Sequence, residues 1–469
     1  MAIYKCQVCD YIYDDDKEGV KWDDLPDDWV CPICESDKSL FSLVNESGEQ
    51  EESVVTGSEI APLSMDELIR TSDDAETHMA DIHKMATTGE SVIEPMRTKK
   101  PVISWDDILI KGAQLSKIPL NHEEPVNSQT VIGPGAKQPL VIESPIFVTH
   151  MSFGALSKEA KLSLARGSAA VKTAMCSGEG GILQESLEAA YKYIFEYVPN
   201  KYSVSDENLK KVDAIEIKFG QSAKPGMGGH LPGDKVTQEI AAIRGFDQGS
   251  DIISPAHFDN IKNKDDLKKT VRWLRDSSEG KPIGIKLAAG NIESDLEIAL
   301  YAEPDFVTFD GRAGATAAAP KFIKGATSVP TIFALYRARK FLDKKGAKDV
   351  SLIITGGLRI SPDFAKAIAL GADAIAIGTT ALMALGCQQY RICNTGKCPM
   401  GIATQNTELR ARMDIDQSAK QLENFLRVST EELKNFARLS GNNDVHQLSI
   451  EDLCATNSEI SDYTDVKHA

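Results

Sequence analysis

From about residue 141 onward, short apolar, β-branched runs recur along the chain, separated by stretches of helical period. They begin at Pro145 (PIFVTHMSFG), Ala170 (AVKTAMCSGEG), Ala214 (AIEIKFGQ), Asp251 (DIISPAHF), Pro282 (PIGIKLAAG), Asp305 (DFVTFDGRAG), Ser351 (SLIITGGL) and Ala374 (AIAIGTTAL). Hydrophobicity within these runs is continuous rather than alternating, which marks strands covered on both faces, as in a parallel sheet. Eight βα units in roughly 250 residues predict an α/β fold, a closed (β/α)8 TIM barrel over residues 141–405. A doubly wound open sheet is the alternative. Nearly every run ends in small or polar residues, and in a barrel those ends share the face where chemistry is placed. Residues 406–469 are polar with helical period, so a helical extension packed on the barrel is expected. Residues 63–140 form a mixed segment leading into the barrel, with a helix predicted from Ser64 as N-cap. Residues 44–62 (NESGEQEESVVTGSEIA at their centre) are acidic and aperiodic, and read as a linker after a small module over 1–43.

Charge sharpens this division. Of a net −17, residues 1–43 carry 11 acidic and 4 basic side chains, and residues 44–100 carry 13 and 5, so the remaining chain holds only −2. An acidic front and a near-neutral body exclude nucleic acid as a partner, because phosphates demand a basic surface. The acidic module is either a solvated surface or a docking face for a basic redox partner. No run of about 18 apolar residues occurs, so no membrane span is expected. The chain enters a cysteine motif at once, with no targeting segment ahead of it, so a cytoplasmic location is expected, as is a homo-oligomer.

Seven of nine cysteines fall in two groups: Cys6, Cys9, Cys31 and Cys34, and the later Cys387, Cys393 and Cys398. Grouped thiols in a reducing compartment read as metal ligands rather than disulfides. Two CxxC pairs 21 residues apart suit a tetrahedral four-thiolate site, and spacing leaves iron and zinc both open. The surrounding YKCQVCDYIYDD…LPDDWVCPICESDKSLF resembles rubredoxin, which implies iron. In that resemblance Tyr4, Tyr11, Tyr13, Trp29 and Phe41 form the aromatic core. Asp10 and Glu35 stand where rubredoxins carry glycine, and the middle loop is shorter, which should alter the hydrogen bonds to sulfur. A zinc ribbon that serves only folding or docking stays open beside it.

At the barrel's end, Gly356-Gly357 and Gly378-Thr379 fit a phosphate site made by the loops after strands seven and eight. Lys286 projects a cation into the barrel mouth, either toward the pyrimidine edge of a flavin or into a salt bridge with a strand-end acid.

MSFGALS (151–157), SGEGG (177–181), IEIKFGQSAKPGMGGHLPG (215–233), ISPAH, IKLAAG, TGGLR and GCQQYRICNTGKCPMGIATQ (386–405) resemble the flavin domain of glutamate synthase, in its short, archaeal-type form. The resemblance runs in order from about residue 95 and implies FMN, a [3Fe-4S] cluster and reduction of 2-iminoglutarate to L-glutamate. It implies that Cys387, Cys393 and Cys398 ligate the cluster, and that Met151, Ser152, Ser177, Gln221 and Lys286 join the glycine pairs in holding FMN. Lys224 and Arg244 would take the two carboxylates of 2-oxoglutarate, the alternative being surface charge. Glu179 would receive ammonia or assist imine formation. His230 stands where the large enzymes have glutamine, and Ala315 and Ala317 replace usual glycines, crowding a ligand or forbidding positive φ.

No amidotransferase cysteine opens the chain and no GxGxxG follows a strand. The resemblance therefore implies a separate electron-donor protein or reductase, with free ammonia or a separate amidotransferase subunit as nitrogen source. Electrons would enter at the N-terminal iron and reach FMN directly or through the cluster. Three rivals stand beside this reading: an N-methylglutamate synthase-like or other amino-acid reaction, a zinc-filled module that only binds partners, and a flavoprotein electron relay without catalysis.

Overall fold

The computed structural model describes residues 2–8, 11–33, 36–44 and 73–469. They form two compact units, Met1–Val92 and Ile93–Ala469.

In the first unit three short antiparallel strands run in the order Ile12–Asp14, Ile3–Cys6, Phe41–Val44. Strands this short need a core, and aromatic rings supply it. Trp22 stacks on Tyr4 with ring centroids 4.3 Å apart, and meets Tyr13, Trp29 and Phe41 at 5.2, 5.3 and 4.8 Å. The expected core residues are present, but its centre is Trp22, which the sequence reading passed over. Cys6 and Cys31 are buried, and Cys6 Sγ lies 3.3 Å from the Ser36 hydroxyl. Cys9, Cys34, the linker from residue 45 and the helix expected from Ser64 lie outside the described residues. A helix at Met79–Thr88 ends at Gly89 in the left-handed region.

In the second unit eight parallel strands close a barrel: β1 (Ile146–Val148), β2 (Ala174–Cys176), β3 (Lys192–Tyr197), β4 (Ala214–Lys218), β5 (Ile283–Ala288), β6 (Phe306–Asp310), β7 (Ser351–Thr355) and β8 (Ala374–Ile377). The number matches the sequence pattern, but DIISPAHF is not a member. Ile252–Ile253 instead pairs antiparallel with His230–Leu231 in a two-stranded ribbon, and Ile253 is exposed. The true third strand is KYIFEY, parallel to β2 and β4. Its glutamate points into the barrel, which breaks the continuous apolar run that identified the others.

The barrel interior is divided. At the N-terminal end Phe147, Ile194, Phe306 and Ile353 pack with Ile132, Leu140 and Ile142 from an antiparallel pair, Thr130–Ile132 and Leu140–Ile142. The opposite half is lined by charged and polar residues of β3 to β7. Apolar filling on one side and buried charge on the other place any chemistry at the C-terminal end of the strands.

Two helices brace the barrel. Ser157 caps α1 (Lys158–Ala170) by accepting from Ala160 N at 3.2 Å, and Asp414 caps α4 (Ile415–Leu439) by accepting from Gln417 N at 2.9 Å. Between them in sequence lie α2 (Thr331–Lys345) and α3 (Ser361–Ala369). Helix α4 lies so close to α1 that a Cβ on Gly167 would stand 2.7 Å from the Ala419 carbonyl oxygen. The tail after residue 406 is therefore a packed extension, but not helical throughout: Leu453–Ala455 pairs antiparallel with Ile108–Ile110. Among the described residues no helix is long and apolar enough to cross a membrane.

Candidate active site

The charged half of the barrel is built from alternate residues of adjacent strands, because period-two geometry sends every second side chain inward. Glu196 (β3), Glu216 and Lys218 (β4), Lys286 (β5) and Thr308 and Asp310 (β6) all project there, joined by His150 after β1. Such groups are rarely buried unless paired. Lys286 Nζ lies 3.6 Å from Glu196 Oε1, so the salt-bridge alternative for this lysine is present in the structure. Burial opposes its charge, but Glu196 and Glu216 override that and raise its pKa. His150 Nε2 is 2.9 Å from Glu216 Oε2, and Thr308 donates its hydroxyl proton to Glu216 Oε1. Asp310 accepts from Ser222 N and Ser222 Oγ, both at 2.9 Å.

His150, Glu196 and Glu216 offer ligand atoms within 4.8 Å of one another. A metal ion there would meet competition, since Lys286 and Lys218 stand 3.6 and 3.9 Å from Glu196 Oε1 and already supply the positive charge.

Toward the mouth, Glu179 accepts from Lys218 Nζ at 2.5 Å and from Gly229 N at 3.2 Å. Burial works against the charged carboxylate, but Lys218 outweighs it, and with Ser254 and Lys224 holds Glu179 down at about 2. Lys224 shares this environment. Burial lowers its pKa, with Glu179 opposing and Lys218 assisting. Arg244 is 8% exposed, so it is no ordinary surface charge. It donates from Nη2 to Phe153 O at 2.7 Å, lies 5.4 Å from the Tyr202 ring centre, and its Nε has no hydrogen-bond partner among the described residues. The structure thus brings Glu179, Lys224 and Arg244 together around Lys218, which sequence reasoning missed. It does not bring His230 among them: that side chain is solvent-facing and bonded to Asp251 Oδ2 at 2.9 Å.

The loops expected to hold a flavin are tightly made. Lys161 of α1 is buried and donates to Met151 O, Cys176 O and Ser177 O at 2.9, 2.9 and 2.8 Å. Burial pulls its pKa to about 8, while the three carbonyls hold the ammonium in place. Ser177 Oγ is committed to the backbone, accepting from Glu196 N at 2.9 Å, which leaves main-chain atoms of this loop for a ligand. Gly178 has φ +83°, and a Cβ there would lie 2.3 Å from Met151 C, next to Ser152, so no other residue fits. Gln221, which lies in the loop after β4, turns back through its carbonyl to Lys224 N. Gly356 and Gly357 (φ +109° and +92°) leave no room for side chains against Gly311 and Ala313, and Gly378 and Thr379 open the helix after β8. Ala315 and Ala317 keep negative φ, so neither is strained.

Beside Gly357 a cavity of about 250 Å³ is lined by Arg97, Arg359, Asp106, Asp363, Ser104 and Thr331, among others. Burial, and then the charge of Arg97, lower Arg359 to about 10. Two cations and two carboxylates line it beside a glycine pair, and Arg97 and Arg359 are the groups there that could meet a phosphate. Arg359 lies in the quoted TGGLR, where only the glycines had been read.

Cys387, Cys393 and Cys398 come together after β8. Burial and then the two neighbouring thiols push Cys393 up to about 11, a donor set that a cation would relieve. Gln389 Nε2 donates to Cys387 Sγ at 3.2 Å, and Lys235 Nζ to Cys393 O at 2.7 Å. Cys176 is a fully buried thiol inside the barrel, and Cys454 lies on the tail strand.

A family model described as the conserved region in glutamate synthase matches residues 76–443, and the rubredoxin model matches residues 3–41. A glutamate synthase large subunit-like protein of Rhizobium meliloti is 36% identical over 401 residues, covering 81% of this chain and 91% of that protein. The archaeal glutamate synthase [NADPH] of Methanocaldococcus jannaschii is 36% identical over 399 residues (78% of each chain), and the archaeal-type enzyme of Thermotoga maritima is 35% identical over 395 residues, covering 79% of this chain and 78% of that one. Among solved structures, a mandelate oxidase mutant overlays with TM-score 0.47 at 15% identity, covering 74% of this chain and 86% of that one.

Proposed function

The chain belongs to the glutamate synthase family of oxidoreductases, with a rubredoxin-like unit at its front, and from that premise we propose that it forms L-glutamate by reductive amination of 2-oxoglutarate. The observation that carries this is the set of half-buried Glu179, Lys218 and Lys224 with buried Arg244 at the mouth of a barrel whose floor is apolar. A dianionic keto acid needs two cations held ready in a dry site. Lys224 and Arg244 both have pKa values lowered by burial, so an arriving carboxylate relieves each of them. Glu179 stays ionised at neutral pH, so it attracts ammonium or an iminium nitrogen and accepts a proton rather than giving one.

The loops around Lys286 and the Gly356-Gly357 pair would hold FMN, with Arg97 and Arg359 available to its phosphate, and FMN bound there would supply the hydride for the imine carbon. Lys286, held in place by Glu196, presents positive charge to the ring, while Lys161 fixes the carbonyls of Met151 and Ser177. Cys387, Cys393 and Cys398 suit a [3Fe-4S] cluster. Cys6, Cys9, Cys31 and Cys34 suit a rubredoxin-type iron, and a separate donor protein completes the path. Nitrogen comes as free ammonia or from a separate amidotransferase subunit.

The test is anaerobic. The purified protein is reduced with dithionite, freed of excess, and flavin absorbance is followed on adding 2-oxoglutarate and ammonium, with glutamate assayed. Reoxidation that needs both substrates and forms glutamate is expected. Flavin that stays reduced with both present refutes unaided synthase activity, and reoxidation with methylamine in place of ammonium points to N-methylglutamate formation.

A further inference from the structure

One buried cation is held by dipoles rather than by an anion. Lys161, near the N-terminus of α1, is 1% exposed. Its Nζ donates to Met151 O and Cys176 O at 2.9 Å and to Ser177 O at 2.8 Å, so neutral carbonyls satisfy all three ammonium protons. The lysines that project into the barrel differ: Lys218 Nζ lies 2.5 Å from Glu179 Oε2, and Lys286 Nζ 3.6 Å from Glu196 Oε1. Lysine is rarely buried unless paired, because hydrogen bonds alone do not replace the hydration of its charge.

Groups farther off do not cancel this charge. The Cys176 thiol and Glu196 act on Lys161 from a distance, but burial pushes the thiol up and keeps it neutral, and Glu196 already faces Lys286. Burial prevails over both and pulls Lys161 to about 8, so the group is mainly ammonium at neutral pH. The dipole of α1 also opposes a cation at this end of the helix. The fold maintains a positive charge here against two opposing effects, and an anion bound nearby would relieve it.

The three carbonyls belong to two loops. Met151 follows β1, and Cys176 and Ser177 stand at the end of β2. The loops touch where a Cβ on Gly178 would lie 2.3 Å from Met151 C and 2.4 Å from Ser152 N, and Lys161 spans that join from the side of α1. In a trans peptide the N–H points away from the C=O. The Met151 and Ser177 carbonyls point at Lys161, so the N–H groups of Ser152 and Gly178 point the other way. Gly178 N donates to His150 Nδ1 at 3.2 Å, which shows that this direction leads into the charged half of the barrel. Ser152 N–H has no acceptor among the described residues. An ammonium on the carbonyl oxygen polarises the N–H of the same peptide and strengthens it as a donor.

Resting on the FMN reading above, we propose that Lys161 is a positioning residue that makes the site bind reduced FMN more tightly than oxidised FMN. Reduction adds two electrons, from the one-electron donor of that reading, and one proton from solvent, and leaves one negative charge on the ring. Lys161 is committed to the carbonyls, so it acts through the Met151–Ser152 and Ser177–Gly178 peptides. Its charge is in place before the electrons arrive, and nothing has to reorganise when they do.

The experiment measures FMN affinity in both redox states for the full-length protein, Lys161→Met and Lys161→Gln, at about pH 7, where lysine is ordinarily charged. Quenching of flavin fluorescence gives the oxidised affinity. The midpoint potential, set against that of free FMN, gives the ratio of the two affinities by linkage. Methionine keeps the length of the side chain without its charge, and glutamine keeps a donor for the carbonyls without its charge. The unaltered protein should prefer reduced FMN at least tenfold, a midpoint about 30 mV or more above that of free FMN, and both variants should lose at least tenfold of that preference. A midpoint at or below that of free FMN in the unaltered protein overturns the proposal. Equal losses of both redox states in the variants, up to no binding of either, make Lys161 a structural pin only and overturn it too. If the unaltered protein takes up no FMN, the FMN reading falls first and this proposal with it; an unchanged ratio in flavin-loaded variants refutes this proposal alone.

Discussion

Replacing Lys218 with methionine keeps the length of the side chain and removes the charge that pins Glu179. In the native barrel this carboxylate is held down at about 2, against an ordinary value of 4.5 and the opposing effect of burial, which corresponds to about 3 kcal/mol. Removing one partner of a buried pair strands the other, a loss of about 3–5 kcal/mol. Lys224 and the Gly229 amide remain near Glu179, so the lower end, about 3 kcal/mol, is expected. Hydrogen exchange read by mass spectrometry on peptides spanning β4 and its loop gives the local opening free energy without assuming that both units unfold together. Glu179→Gln in the Lys218→Met background should restore about half of the loss, because the stranded charge is gone. The sign with pH follows from the depressed pKa. The contribution is fully present above about pH 4.5 and disappears as pH falls toward 2, so the deficit of Lys218→Met relative to the native protein should shrink over that interval. The reasoning fails if Lys218→Met costs under about 1 kcal/mol, or if the two substitutions add within about 0.5 kcal/mol.

Arg359→Leu should weaken FMN binding about tenfold to a hundredfold, the loss of one charge-assisted hydrogen bond, measured by quenching of flavin fluorescence. Because burial lowers the Lys224 pKa, KM for 2-oxoglutarate should climb as pH rises even below the ordinary lysine value. Lys224→Arg should move that rise to higher pH, and an unchanged profile contradicts the assignment. Gly167→Ala, which would press a methyl to 2.7 Å from the Ala419 carbonyl, should cost about 1–3 kcal/mol in the opening of α4, read by hydrogen exchange. Cys393→Ala should cut iron content to what the N-terminal site retains, with visible absorbance reduced to that of the rubredoxin-like unit. Undiminished iron would remove Cys393 from the ligand set.

Most of the barrel is legible in the sequence because seven of its strands keep apolar or small residues at most positions. The exception, β3, hides because Lys192 and Glu196 sit on its inward side and read as a solvent-facing pattern. The same cause conceals much of the site. Lys218, Glu196 and Glu216 each stand within apolar runs, where a charge suggests a strand edge rather than the inside of a barrel. Glu179, Lys224 and Arg244 were accessible only through family resemblance, since nothing in their spacing brings three loops to one mouth. His230 was chosen by the same route, and it lies on the ribbon, paired with Asp251. Trp22 was missed because the core of a module this small is decided by which rings touch, and the sequence has more rings than positions.

The strand at Ile108–Ile110 pairs with Leu453–Ala455, so Leu109 waits for Cys454, 345 residues further along the chain. At a synthesis rate of about 5–20 residues per second, that wait is on the order of 20 to 70 s. The rubredoxin-like unit can complete itself meanwhile, since its three strands pair among residues 3–44. The barrel unit spends that time with an edge uncovered, the condition in which strands find wrong partners. Cys6 and Cys31 thus emerge early, whereas Cys387, Cys393 and Cys398 follow the last barrel strand, late. The order of emergence sets the order of folding: first the three-stranded front unit, then the closed barrel, and the tail strand that covers Ile108–Ile110 last.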